Sequence, residues 1–168
     1  MEFYEHNKKL FEELRERIDK NPDNMENYLL LGKLYVMGVM YDEAIEIYDL
    51  LLQKDPLNIQ ALINSGSIYF FKKDYEKAVN LFTRALETDS ANASCYYNLG
   101  NAYAELKNYN HAMQSYKKAL ALDTKNPEIY TAIALLHQDL NEFPDAIANF
   151  QKALAFNPDE AEANNNLG

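Results

Sequence analysis

The sequence contains little of several residue types that define specialised classes of protein. Of its 168 residues, one is cysteine, none is tryptophan, five are glycine and five are proline. A single thiol, Cys95, cannot form an intramolecular disulfide, which excludes a disulfide scaffold. So few glycines and prolines, together with 48% hydrophobic residues, exclude a collagen-like or disordered chain. The composition therefore indicates a folded domain that buries a substantial core.

Long apolar runs and an excess of basic residues are also missing. Apolar runs such as residues 29–31 and 50–52 fall far short of the roughly 20 residues that cross a bilayer. The N-terminus has no basic region followed by an apolar stretch, so we expect no signal peptide and a cytoplasmic protein. The 26 acidic and 16 basic side chains give a net charge of −10, which opposes binding to a phosphate backbone. We therefore expect no membrane span and no nucleic-acid partner.

Motifs that carry catalysis or bind cofactors are absent from the sequence. It contains no Gly-rich phosphate loop, no Cys-x-x-Cys, no His-Glu-x-x-His and no Gly-x-Ser-x-Gly. The histidines His6, His111 and His137 are widely separated, which argues against their convergence on one metal ion. No basic residue adjoins Cys95 to lower its pKa, so we interpret it as an inert, partly buried thiol. We expect no enzyme activity, no catalytic residue, no metal and no cofactor.

A constant repeat period is the main signal in the chain. Small, aromatic and branched residues recur at fixed positions, and an offset that stays the same over four intervals indicates a repeat protein. The best-kept positions are Leu31-Gly32, Ser65-Gly66, Leu99-Gly100, Ile133-Ala134 and Leu167-Gly168; Tyr35, Tyr69, Tyr103 and His137; Ala44, Ala78, Ala112 and Ala146; and Tyr48, Phe82, Tyr116 and Phe150.

Each period predicts two helices. Its apolar residues recur at steps of three and four, as in Tyr28, Leu31, Leu34 and Tyr35, which is helical periodicity. Short polar breaks, such as residues 72–74, divide each period, and so short a connection joins antiparallel helices. Gly32 and its equivalents are the eighth residues of their periods, and Ala44 and its equivalents are the twentieth. Because these residues have almost no side chain, the two helices can approach each other beside bulky tyrosines.

The ends of the helices carry their own signals. Pro56 and Pro158 disfavour a helical residue before them, so they end a second helix, and Pro22 occupies the same position after residues 2–20. Ser90 and Thr124 replace these prolines in the middle periods, and we expect their side chains to cap the following helix.

Three positions depart from the pattern in ways that predict local changes. The turn after each first helix favours a residue that tolerates positive φ. Asn141 is such a residue but Val39 is not, so we expect the first helix of the first period to end one residue sooner, near Gly38. Leu51 stands where later periods have alanine, and we expect a shifted neighbour or the small Ser65 to accommodate it. His137 replaces a tyrosine; we favour a hydrogen-bonded core histidine over a pH-sensitive or ligand-binding role.

This pattern of an aromatic, Leu-Gly, Tyr, Ala, an aromatic, Ala and Pro resembles the tetratricopeptide repeat, whose period is about 34 residues. The resemblance implies an all-α, right-handed α-solenoid of antiparallel helix hairpins. It predicts an N-terminal capping helix over residues 1–24, repeats over 25–58, 59–92, 93–126 and 127–160, and the start of a fifth repeat over 161–168. We interpret the cut fifth repeat as a sign that the chain is a fragment of a longer array.

The resemblance also implies which residues bind a ligand, because the first helices of such repeats line a concave groove. Few of the residues at these positions are charged, several are aromatic, and Asn64 and Asn98 occupy matching positions in consecutive repeats. Lys33 and Asn64 supply only part of the carboxylate-binding clamp known in this family. The predicted peptide-binding residues are Leu29, Lys33, Ile63, Asn64, Ser67, Phe70, Tyr97, Asn98, Asn101, Thr131 and Gln138.

The predicted function is that of a non-enzymatic scaffold for protein–protein interaction, which binds a peptide or helix of a partner in its concave groove. Two alternatives belong to other classes. The chain can be the substrate-recognition arm of a larger enzyme, such as a glycosyltransferase, whose catalytic domain lies outside it. It can also be a self-assembling structural module that forms a homo-oligomer through exposed solenoid ends.

Overall fold

The structure is a computed structural model and describes residues 2–157. The predicted roles of Pro158 and of the partial repeat 161–168 lie outside the described residues. The described chain is built of α-helices, which confirms the predicted all-α fold of helix hairpins. In order these are α1 (Glu2–Lys20), α2 (Met25–Met37), α3 (Tyr41–Lys54), α4 (Ile59–Phe71), α5 (Tyr75–Thr88), α6 (Ala93–Glu105), α7 (Tyr109–Leu122), α8 (Pro127–Asp139) and α9 (Phe143–Phe156).

Asparagine side chains cap the start of every first helix. Asn24, Asn58, Asn92 and Asn126 occupy the same place in successive periods, and each accepts a backbone N–H from the first turn of the helix that follows. The prediction that Ser90 and Thr124 provide these caps is therefore wrong. An amide oxygen at the N-cap satisfies a helix N–H that has no partner within its own helix, so these caps fix where α2, α4, α6 and α8 begin.

The chain divides into two compact units, and the first comprises residues 1–90. Within it α2 packs on α3 and α4 on α5 as hairpins, α3 also packs on α4, and α1 packs on α2. Phe11 of α1 is fully buried, and its ring lies 4.8 Å from that of Tyr35 in α2. An aromatic contact thus fastens the N-terminal helix to the first hairpin.

The second unit comprises residues 91–168 and has the same organisation over its described part. Helix α6 packs on α7, α7 on α8, and α8 on α9. Its core includes Tyr116, Ile129 and Leu136, all at most 2% exposed. Cys95 is fully buried in α6, so the thiol is more enclosed than we predicted.

Aromatic rings lie directly on the glycines at the eighth position of the repeats. A Cβ atom added to Gly100 would lie 2.5 Å from the ring of Tyr116, and one added to Gly66 would lie 2.7 Å from the ring of Phe82. Gly32 meets the ring of Tyr48 in the same way. Because glycine has no side chain, an aromatic ring from the second helix packs directly against it, and the two helices of the hairpin can pack closely.

The turns inside all four hairpins share one backbone conformation. Val39, Lys73, Lys107 and Asn141 have φ between 57° and 63°. Helix α2 ends at Met37, the position equivalent to the ends of α4, α6 and α8, so the prediction that it ends sooner is wrong. The N–H groups of Val39 and Met40 donate to the carbonyls of Val36 and Tyr35 at 2.9 Å, bonds that the other turns repeat. These hydrogen bonds hold valine in a region that its branched side chain disfavours.

Replacing Val39 by glycine is expected to stabilise the protein. A non-glycine residue in a sparsely populated region of φ costs on the order of 1–3 kcal/mol. The Val39 side chain is 68% exposed, so its removal sacrifices little burial. Part of the gain is offset because glycine is more flexible in the unfolded chain. We expect the free energy of unfolding to rise by about 1 kcal/mol, measured from the urea midpoint at constant slope.

The matched control for this substitution is Asn141→Gly in the equivalent turn of the last hairpin. Asparagine adopts positive φ at little cost, so its replacement should change stability by at most about 0.5 kcal/mol. If Val39→Gly stabilised the protein no more than Asn141→Gly, valine would not be strained there.

None of the helices in residues 2–157 is long and apolar enough to cross a membrane.

Candidate peptide-binding site

An apolar pocket of about 300 Å³ opens between α2 and α4 of the first unit. We call it the α2–α4 pocket. Three of its residues come from α2, four from α4 and one from α3, which places it on the first helices of consecutive repeats. Its lining consists of Lys33, Val36, Met37, Tyr48, Asn64, Ser67, Ile68 and Phe71. A volume of this size accommodates a bulky apolar side chain.

The rim of the pocket exposes large apolar side chains from both flanking helices. Met37 of α2 is 68% exposed and Phe71 of α4 is 65% exposed. The ring of Phe71 stacks on that of Tyr41 at 6.1 Å and meets Phe70 edge to face at 6.2 Å. An exposed apolar surface that continues into a pocket is typical of a binding site.

Polar groups of the pocket are few and mostly held in place. Asn64 Nδ2 donates to the hydroxyl of Tyr48 at 3.1 Å, and Ser67 Oγ donates to the carbonyl of Ile63 at 2.9 Å. Burial raises the pKa of Tyr48 to about 12, while its hydrogen bond with Asn64 lowers that pKa in part. The phenol is therefore neutral at physiological pH. The Asn64 amide keeps its carbonyl oxygen and one N–H for a ligand.

Lys33 is the one charged residue among those lining the pocket. It is exposed, and its ammonium forms no ion pair with the side chains described over residues 3–157. In a chain of net charge −10, an unpaired cation beside an apolar pocket favours ligands that carry a carboxylate near their apolar group.

The other residues predicted for the first unit lie close by without lining the pocket. Leu29 is half-buried and packs against the core of the first hairpin. Ile63 is half-buried one turn before Ser67. Phe70 is half-buried, with its ring 5.4 Å from that of Tyr75. Of the predicted set, Lys33, Asn64 and Ser67 are thus the residues that the structure brings together in one pocket.

The residues predicted for the second unit lie on α6 and α8. Tyr97 is half-buried and its ring lies 6.2 Å from that of Tyr116, whose hydroxyl donates to Asn101 Oδ1 at 2.8 Å. Asn98 is half-buried. Thr131 Oγ1 donates to the carbonyl of Pro127 at 3.0 Å, and Gln138 is exposed at the end of α8.

Residues beyond the predicted set complete the α2–α4 pocket. Tyr48 belongs to a second helix, which the family pattern does not count as ligand-binding, but the glycine at position 32 lets its ring reach the pocket floor. Ile68 is 1% exposed and forms part of the same floor. The sequence signal that identifies Tyr48 is an aromatic residue that recurs 16 positions after Gly32, Gly66, Gly100 and Ala134.

His137 does not occupy the core position that we predicted. It lies in the last turn of α8 and is half-buried, with its side chain 18% exposed. Its Nδ1 lies 2.7 Å from Glu142 Oε2 at the start of α9. The histidine is hydrogen-bonded as predicted, but to an exposed carboxylate across the hairpin turn.

A model described as tetratricopeptide repeat matches residues 59–125, another with the same description matches residues 26–58, and one described as TPR repeat matches residues 139–168. A search of curated proteins found no match to the sequence.

Several solved structures have the same fold. A crystal structure of MamA is 24% identical with a TM-score of 0.83, covering 90% of this chain and 89% of that one. MamA from Desulfovibrio magneticus RS-1, from residue 41 to its end, is 19% identical with a TM-score of 0.85, covering 90% and 86%. YrrB, described as a TPR protein with an unusual peptide-binding site, is 21% identical with a TM-score of 0.76, covering 89% and 77%.

Proposed function

Because the chain belongs to the tetratricopeptide repeat family and is therefore a protein-interaction scaffold, we propose that it binds a peptide segment of a partner protein in the α2–α4 pocket. The pocket itself carries the proposal: it is apolar, large enough for one bulky side chain, and lies on the first helices of consecutive repeats. We propose no catalytic role for the chain.

Each part of the pocket has a place in this interaction. A leucine, methionine or aromatic side chain of the segment enters between Met37 and Phe71 and contacts Ile68 on the floor. The Asn64 amide hydrogen-bonds a peptide group of the segment beside that anchor, and Lys33 attracts a neighbouring carboxylate. YrrB, which has the same fold, is described as having a peptide-binding site, and this supports a peptide as the ligand class.

The experiment is a selection of peptides from a random library displayed on phage, with the whole chain as bait. We expect selected peptides to share an apolar residue beside an acidic one. Binding of the best peptide is then measured by fluorescence polarisation to the wild-type chain and to Met37→Glu and Phe71→Glu. Burying an apolar side chain contributes about 1.5–3 kcal/mol, so each substitution should weaken binding by roughly 10- to 150-fold.

Leu57→Glu is the matched control. Leu57 is 61% exposed, similar to Met37 and Phe71, and does not line the pocket. It should leave the affinity unchanged, because surface substitutions away from the site alter neither folding nor binding appreciably. If Met37→Glu and Phe71→Glu bound the peptide as tightly as Leu57→Glu, the pocket would not be the binding site.

A further inference from the structure

A side-chain cluster at the turn between α8 and α9 is unlike its counterparts in the other hairpins. It contains His137 at the end of α8, Glu142 at the N-cap of α9, and Asp145 in the first turn of α9. One ligand atom from each residue lies within 4.8 Å of the others. We propose that this trio binds a zinc ion.

The equivalent positions in the second hairpin show what this place in the repeat holds. Tyr69, Asp74 and Lys77 stand two repeat periods before the trio. The Lys77 ammonium lies 2.7 Å from an Asp74 carboxylate oxygen and 4.9 Å from the centre of the Tyr69 ring. A cation supplied by the chain thus sits between the two helices at this turn.

The third hairpin fills the same place with an imidazole. His111 Nδ1 lies 2.8 Å from Asn108 Oδ1, and its ring lies 5.1 Å from that of Tyr103. In both hairpins a nitrogen-bearing side chain from the second helix meets an oxygen acceptor and an aromatic ring. The positions equivalent to His137, Glu142 and Asp145 therefore lie close together because of the turn geometry, whichever side chains occupy them.

The fourth hairpin reverses this arrangement. Asp145 stands where Lys77 and His111 stand, and His137 replaces the tyrosine. Within residues 2–157 no lysine or arginine forms an ion pair with Glu142 or Asp145. Two carboxylates and one imidazole then share the place that a nitrogen-bearing side chain occupies in the second and third hairpins. Repulsion between the carboxylates favours the binding of an external cation between them.

The donor set selects the ion. One imidazole nitrogen with two carboxylate oxygens is a set that zinc accepts, whereas calcium and magnesium prefer oxygen ligands throughout. Zinc bonds of about 2.0–2.2 Å place tetrahedral ligand atoms about 3.4 Å apart. His137 is held by the fold, while Glu142 and Asp145 are exposed and can close the remaining distance by changing rotamer. Water supplies the fourth ligand.

The expectation of no metal site rests on the wide separation of the histidines and concerns a site built from several of them. A single histidine with two carboxylates that follow it across a hairpin turn is a different set of ligands. Its spacing gives no familiar sequence motif.

The test is a titration of the whole, untagged chain with Zn²⁺ in competition with a fluorescent indicator. Cobalt absorption in the visible range gives a second readout, because tetrahedral coordination produces intense bands. We expect His137→Tyr, which restores the residue of the other repeats, to weaken zinc binding by at least about 10- to 100-fold, the effect of losing even an outer-shell partner. Asp145→Lys, which restores the arrangement of the second hairpin, should do the same and abolish the cobalt bands.

His111→Gln is the control, since it removes a histidine from the equivalent turn without two carboxylates. It should bind zinc as the wild type does. Wild-type affinity no greater than that of Asp145→Lys, or an equal loss in His111→Gln, would overturn the proposal. Asp145 is exposed in the first turn of α9, so its variant keeps the test decisive if His137→Tyr does not fold. The outcome is independent of whether the α2–α4 pocket binds a peptide.

Discussion

Leu51→Ala and Ser65→Leu should each destabilise the protein, and together they should cost less than the sum of the two. Leu51 in α3 is fully buried and Ser65 in α4 is 1% exposed. Truncating a buried leucine costs about 2–5 kcal/mol, and forcing a leucine into a filled space costs about 1–3 kcal/mol. Because the double substitution restores the alanine and branched aliphatic residue found at Ala119 and Ile133, we expect a coupling energy of about 1–3 kcal/mol in its favour.

The measurement is a double-mutant cycle of urea unfolding. Strictly additive losses would show that Leu51 and Ser65 do not share one space, and of the two predicted alternatives only a shifted neighbour would then remain.

Ser65→Ala separates the effect of volume from that of polarity. Within the described residues the Ser65 hydroxyl is buried and has no hydrogen-bond partner. Such a group costs about 1–3 kcal/mol, so its removal should stabilise the protein rather than destabilise it. The unpaired hydroxyl is thus a cost of having serine at this buried position.

Gly100→Ala should be the most damaging small substitution in the second unit. An added Cβ would lie 2.5 Å from two carbon atoms of the Tyr116 ring. The ring is 2% exposed and its hydroxyl donates to Asn101, so it cannot move away without losing that hydrogen bond. Overpacking of this kind costs about 1–3 kcal/mol, which exceeds the roughly 1 kcal/mol that alanine gains over glycine in a helix.

Thermal and urea unfolding of Gly100→Ala and of Gly66→Ala give the comparison. Gly66 faces Phe82, which carries no hydroxyl, and the added Cβ would lie at 2.7 Å from that ring. We expect a smaller loss there than at Gly100. Unchanged stability of Gly100→Ala would mean that Tyr116 repacks freely.

The repeat period predicted the fold well because helix boundaries are set by local chemistry. The break predicted at residues 72–74 coincides with the end of α4 and the start of α5. The capping asparagines are equally visible in the sequence, once in every period, whereas the predicted caps, Ser90 and Thr124, are the residues that replace prolines. The sequence thus carries the capping signal, but at a different position from the one predicted.

Val39 shows where local preference fails as a guide. Valine disfavours positive φ, but four turns with the same hydrogen bonds form the same structure whatever residue occupies the left-handed position. Tertiary and turn interactions outweigh a cost of about 1–3 kcal/mol.

The candidate pocket was predictable only in part, for a geometric reason. Lys33, Asn64 and Ser67 follow from the position of first helices in the repeat. Tyr48 reaches the pocket because its ring crosses over Gly32, which requires the actual approach of two helices. The cluster around His137 likewise depends on side chains that meet across a turn.

The asparagine caps bear on how the chain folds. Each accepts a hydrogen bond from an N–H just ahead of it in the chain, so the ends of the first helices are satisfied before any hairpin docks on its neighbour. The short turns within the hairpins close with little loss of chain entropy. Folding can therefore begin within single hairpins and proceed rapidly, as in other chains dominated by contacts between near neighbours. The strained turn at Val39 makes the first hairpin the least favourable of the four in which to begin.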